Sequence, residues 1–129
     1  MEETIFKKIE LDNDQTLVIL DKSRKIGEDA YVVIMGVRMA IRIHRDLFAE
    51  NKVSDAQFDD IREVLGDEIR YEYKSERNMI MASEKDQVFE ELVATFLKNM
   101  MPYIAMPIFP EKKALKEYRE RVEKKNKYR

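Results

Sequence analysis

His44 is the single histidine of this 129-residue chain, and Arg38 and Arg42 precede it at even spacing. Residues two apart on an extended strand share a face, so Arg38, Arg42 and His44 form one cationic row. At strand rise the two arginines stand about 14 Å apart. Such a row can hold phosphates or a carboxylate-rich partner through charge-assisted hydrogen bonds. The competing use of the same side chains is cross-strand pairing with acids such as Glu68 or Glu72. A metal or catalytic site on His44 would need partners that no local spacing supplies, so it reads as an edge histidine.

A second cationic set lies at the C-terminus: Lys112, Lys113, Lys116, Arg119, Lys124 and Lys125. From Glu111 to Arg129 nine basic residues face four glutamates, a net +5; the rest of the chain holds fifteen basic and twenty-two acidic residues, a net −7. A basic tail on an acidic body can track a nucleic-acid backbone or lie on a protein surface. The interleaved acids argue for a solvated helix. Glu117–Arg121, Glu120–Lys124 and Glu123–Lys127 are i, i+4 pairs in the favourable order, each contributing about 0.2–0.5 kcal/mol.

The third set is apolar. Of eight methionines, Met79, Met81, Met100, Met101 and Met106 cluster in the second half, beside the uncharged residues Tyr103, Ile104, Ile108 and Phe109. Methionine adapts to irregular apolar surfaces. This region is therefore the expected protein–protein contact.

Other chemistry finds no support. With no cysteine there is no disulfide, thiolate nucleophile or cysteine-held metal. Three glycines, at 27, 36 and 66, do not make a phosphate-cradling loop or a dinucleotide fingerprint. Asp55, Asp59 and Glu63 share a helix face and could offer oxygens to magnesium, but acids near a helix start also complement its dipole. The "DND" at 12–14 lacks the length and glycine of a calcium loop. The expectation is no catalytic residue, no cofactor and no metal.

The stretch "DKSRKIG", with Asp21, Ser23 and Gly27, resembles the Asp-x-Ser-x-x-Gly half of the cyclic-dinucleotide motif of the PilZ family. The glycine falls one residue late, and only Lys7 and Lys8 stand upstream in place of that family's Arg-x-x-x-Arg. No ligand is carried over from it.

These residues need elements to position them. "TIFKKIEL" (4–11) and "QTLVILDK" (15–22) read as a hairpin around "DND", whose residues tolerate positive φ. After a polar loop, "AYVVIMGVRMAIRIH" (30–44) is a third strand with a change of rule. Before Gly36 both faces are apolar; after it Val37, Met39, Ile41 and Ile43 alternate with Arg38, Ala40, Arg42 and His44. The first half is expected to be covered on both sides, the second on one. Fifteen residues at about 3.4 Å each span about 50 Å, against about 35 Å for a compact domain of this length. A bend or bulge is therefore expected at Gly36.

Ser54 and Gln57 form a capping box for a helix over 54–65, with Gly66 as its stop. "EIRYEYK" (68–74) and "RNMIMA" (77–82) read as a second hairpin. Ser83 is the expected cap of a helix over 84–101 with a broad apolar stripe. "YIAMPIFP" reads as extended, and Pro110 suits the first turn of a last helix.

The prediction is an α+β fold: a five-stranded, mostly antiparallel sheet, β-β-β-α-β-β-α-α, over residues 1–109. A long amphipathic helix covers it, and a basic helical extension, 110–129, lies at its periphery. The N-terminus has no signal-peptide pattern. The least polar stretch, 92–110, carries Lys98, Asn99 and three prolines and is not expected to span a membrane. A soluble cytoplasmic protein follows. The expected function is a non-catalytic interaction or regulatory module, a homodimer through a sheet edge or the methionine-rich surface. The alternatives are a nucleic-acid binder using the tail and the arginine row, and a small-ligand-binding domain or enzyme at that row.

Overall fold

The computed structural model describes residues 3–49 and 51–127, with the side chain of Lys127 outside the description. Its elements are strands β1 (Thr4–Glu10), β2 (Thr16–Asp21), β3 (Arg24–Lys25), β4 (Ala30–Arg42) and β5 (Glu68–Met81), and helices α1 (Asp55–Leu65), α2 (Lys85–Asn99), α3 (Met101–Ile104) and α4 (Phe109–Lys127). A 3₁₀ turn, Arg45–Phe48, follows β4. The fold is α+β with a five-stranded antiparallel sheet, as expected. β1 pairs with β2, and β2 with β4. β3 continues beyond β2 along the same edge of β4, and β5 runs along the other edge.

The first hairpin forms as predicted. Asp14 adopts φ 67°, the left-handed conformation that aspartate tolerates. The capping box also forms: Ser54 Oγ accepts from the Gln57 N–H, and Gln57 Oε1 accepts from the Ser54 N–H. Gly66, at φ 81°, ends α1.

The second hairpin does not form. Residues 68–81 are one 14-residue strand that pairs with β4 from Glu68↔Arg42 to Met81↔Ala30. Ser75–Glu76 holds no turn-forming glycine, proline or asparagine, and β4 is long enough to template the whole run. The predicted bend is also displaced. β4 shows no register shift at Gly36, which pairs with both Leu20 and Lys74. The irregularity falls between Tyr31 and Val33, where β5 inserts an extra residue and Met79 takes φ 56°.

Burial along β4 nonetheless changes as the pattern implied. Residues 32–37 are all buried; beyond them Met39, Ile41 and Ile43 are buried while Ala40, Arg42 and His44 are exposed. The side chains of Val33, Met35, Val37, Met39 and Ile41 form the core face, and the helices pack on it. α2 contributes Phe89, Leu92, Val93 and Phe96. Its N-cap is Glu84, without a side-chain cap, so Ser83 does not cap it. The stretch expected to be extended, 103–110, instead holds the end of α3 and the start of α4; Pro102 sits in the first turn of α3, where no N–H is needed.

α4 docks instead of lying at the periphery. Phe109 and Glu111 are buried, Ala114 is fully so, and Tyr118 reaches Asp60 on α1. Of the expected i, i+4 pairs, Glu117–Arg121 forms at 3.1 Å, whereas Glu120 meets Lys116 at 4.0 Å. The Glu123–Lys127 pair and residues 128 and 129 lie outside the described residues. Among those described, no helix is long and apolar enough to cross a membrane.

Candidate functional site

A broad concavity lies between α1 and the first half of α4. It encloses about 1010 Å³, at the upper end of the usual range for ligand sites. Its apolar lining includes Val53, Ile61, Tyr71, Ile108, Phe109 and Leu115. Lys112, Lys113, Lys116 and Arg119 line the α4 side. Helical spacing accounts for the α4 contribution, since residues 112, 116 and 119 recur at i+4 and i+3 on one face.

Four contacts hold the shape. Tyr71 from β5 and Tyr103 in α3 both meet the Phe109 ring edge-on, with centroids 5.5 and 5.2 Å away. The side chain of Glu111, only 2% exposed, accepts the backbone N–H of Asn51 at 3.1 Å and so pins the segment leading to Val53. Tyr118 donates its hydroxyl hydrogen to the Asp60 carboxylate, tying α4 to α1. That hydrogen bond also raises the Tyr118 phenol pKa. Burial is the main cause that pushes Tyr71 up. Asp60 is the acid on the groove lining, and its engagement with Tyr118 leaves the lysine and arginine heads to set the character of the rim.

This groove unites parts of two sequence-predicted sets: Lys112, Lys113, Lys116 and Arg119 from the basic tail, and Tyr103, Ile108 and Phe109 from the apolar region. Lys124 and Lys125 lie further along α4, exposed and outside the lining. The remaining apolar candidates do not assemble. Ile104 is fully buried; Met100 and Met101 are half-buried against the core. Met106 is exposed near the β1–β2 turn, where Asn13 Nδ2 donates to the carbonyls of Ile104 and Met106. Met79 and Met81 are exposed at the other end of the sheet, where Met81 pairs with Ala30. The methionine-rich stretch therefore makes no single surface.

Arg38, Arg42 and His44 point away from the helices and line a shallow bowl of about 470 Å³ on the open sheet face, with Ala40 among its lining residues. Arg70 joins them because β5 places it opposite Ala40. The register sets Arg38 opposite Glu72 and Arg42 opposite Glu68. The ion pairs formed differ: Arg38 donates to Glu3 at 3.0 Å, and Arg70 approaches Glu72 at 3.6 Å. The hydrogen bond from Arg38 is the largest influence holding the Glu3 carboxyl below its ordinary value. Asp14 also lines the bowl. This face is thus a mixed-charge surface, on the opposite side of the sheet from the α4 lysines.

Ser23 Oγ accepts the backbone N–H of Ile34, and Asp21 Oδ1 accepts that of Ser23, so both residues of the "DKSRKIG" stretch shape the crossing from β2 to β3. Asp55 accepts from Arg45 at 3.0 Å. Among the described residues, no three His, Cys, Asp or Glu side chains gather as metal ligands would.

Sequence reasoning missed the α1 half of the groove. Gln57 was singled out only as half of the capping box, and Asp60 not at all. Phe58, Ile61 and Leu65 recur at helical spacing on the inward face of α1, and such a pattern does not say what lies beside it. No family model, curated protein or solved structure matches this chain.

Proposed function

We propose that the protein is a non-catalytic interaction module of the cytoplasm that takes an acidic, apolar segment of a partner protein into the groove between α1 and α4. The observation that supports this reading is the meeting of an aromatic floor with a rim of lysines and an arginine in one groove. An amphipathic helix with leucines on one side and glutamates flanking them matches both parts. Its apolar side chains would cover Tyr71, Ile108 and Phe109, and its carboxylates would face Lys112, Lys116 and Arg119.

The test is calorimetric titration of the full chain with a synthetic leucine–glutamate amphipathic peptide, and with a leucine–lysine peptide of the same apolar face. The acidic peptide is expected to bind, more weakly as salt rises, and the basic one not to. Reversing Lys112 and Lys116 to glutamate should abolish the first binding while leaving the circular dichroism spectrum unchanged. Equal binding of both peptides, or indifference to the reversal, would rule the reading out.

A further inference from the structure

β5 is a 14-residue strand at the edge of the sheet. Among the described residues β4 is its only strand partner, and no turn or loop backbone group hydrogen-bonds to residues 68–80. Most of its side chains are exposed. A long open edge is a template for a further strand, and proteins normally restrict which strand it will accept.

The restriction here is written in charge. On the open face of the sheet, away from the helices, Arg70, Glu72, Lys74 and Glu76 follow one another at alternate positions. Read backwards, the row presents the opposite sign at each place. We propose that the occupant of this edge is β5 of a second copy of the chain, antiparallel, about a two-fold axis normal to the sheet that passes midway between the two Tyr73 residues. In that register Arg70 faces Glu76 of the other copy and Glu72 faces its Lys74, and each pair occurs twice. On the core face Tyr73 meets its own counterpart and Tyr71 meets Ser75.

Alternative registers are poorer. Centring on Glu72 or Lys74 sets like charge against like. Centring on Tyr71 keeps the signs matched but pairs only residues 68–74, whereas the Tyr73 register pairs 68–78, up to the irregularity at Met79. Within one copy these charges are held loosely, Arg70–Glu72 at 3.6 Å and Lys74–Glu76 at 3.9 Å, both exposed. They are free to exchange a neighbour along the strand for one across it. Tyr71 belongs to both this edge and the α1–α4 groove, but Arg70, Glu72, Lys74 and Glu76 are not among the residues lining the groove, so charge variants on the row test the dimer apart from the peptide reading.

Sedimentation velocity of the full chain at micromolar concentration tests it. A discrete dimer that weakens with salt is expected. Glu72→Lys with Glu76→Lys makes the row wholly cationic, and Arg70→Glu with Lys74→Glu makes it wholly acidic. Each variant alone should dimerise about tenfold or more weakly, and mixing the two should restore a heterodimer, which excludes misfolding as the cause. The chain has no cysteine of its own, so Tyr73→Cys should give an oxidised, cross-linked dimer and Ser75→Cys should not. A monomeric wild type, a dimer indifferent to both charge variants, a mixture that stays monomeric, or cross-linking at Ser75 in place of Tyr73 would each overturn the proposal.

Discussion

Lys22 lies across Gly36 so closely that a Cβ at position 36 would stand 2.8 Å from the lysine Cε. The lysine stem occupies the place a side chain would take. Its ammonium reaches Glu3 at 3.7 Å, while Leu20 and Ile34, neighbours on the same face, are only 3% and 8% exposed. Gly36 therefore makes room for a side chain and does not turn the strand. The overlap is with the far end of a flexible chain, which can move aside, and glycine inside a strand carries an entropic cost. Gly36→Ala is expected to change the unfolding free energy by less than about 1 kcal/mol. Urea unfolding followed by circular dichroism measures this, and a much larger loss would return Gly36 to the role of a backbone bend.

Asn13 joins the first hairpin to the chain between α3 and α4, donating to Ile104 O at 2.9 Å and Met106 O at 3.0 Å. Asn13→Ala leaves both carbonyls without this donor and should cost about 1–3 kcal/mol. Asn13→Asp should cost as much, because a carboxylate cannot donate to a carbonyl. The same unfolding measurement reads both.

Glu111 anchors the groove wall through the Asn51 N–H. Removing the acceptor in Glu111→Ala leaves a donor unpaired in a half-buried contact and should destabilise by about 1–3 kcal/mol. Glu111→Gln keeps a carbonyl acceptor and should lose less. If the groove binds the acidic peptide, affinity should fall in the alanine variant and largely survive in the glutamine one.

Tyr71 and Tyr118 both have raised phenol pKa values, from burial in the first case and from the Asp60 hydrogen bond in the second. A raised value means that folding favours the neutral phenol. The contribution is complete below the unfolded-state value of about 10 and is lost as pH climbs through the folded one. Phenolate absorbance should therefore continue to rise above the ordinary tyrosine range, and its late portion should shrink in Tyr71→Phe and in Tyr118→Phe. Tyr118→Phe should also loosen α4 from α1, seen as faster amide exchange after Ala114.

Much of the fold was legible locally. Ser54 and Gln57 announced α1, the apolar stripe over 84–101 announced α2, which ends at Asn99, and the change of rule in 30–44 foretold where the open face begins. The second hairpin was misread because alternation over 68–74 and the weaker run 77–82 look alike whether or not the chain turns between them. What kept β5 straight is its partner, since β4 pairs with it almost end to end. The groove was half legible. Its lysines and aromatics were singled out as two separate sets, because nothing in linear spacing says that α4 returns to lie beside α1.

Sequence alone determined α1 and α2, the first hairpin, the apolar faces, the sign of charge on α4 and the alternating charge row of β5, because these follow from propensity and periodicity within a few residues. Tertiary structure decided which faces meet. It buried Ile104 and Phe109, left Met79 and Met81 at the far end of the sheet, put the arginine row and the α4 lysines on opposite sides, and closed α1 and α4 around an aromatic floor. Those outcomes depend on contacts between residues distant in the chain, and burial there is settled by the competition of many apolar surfaces for the same core.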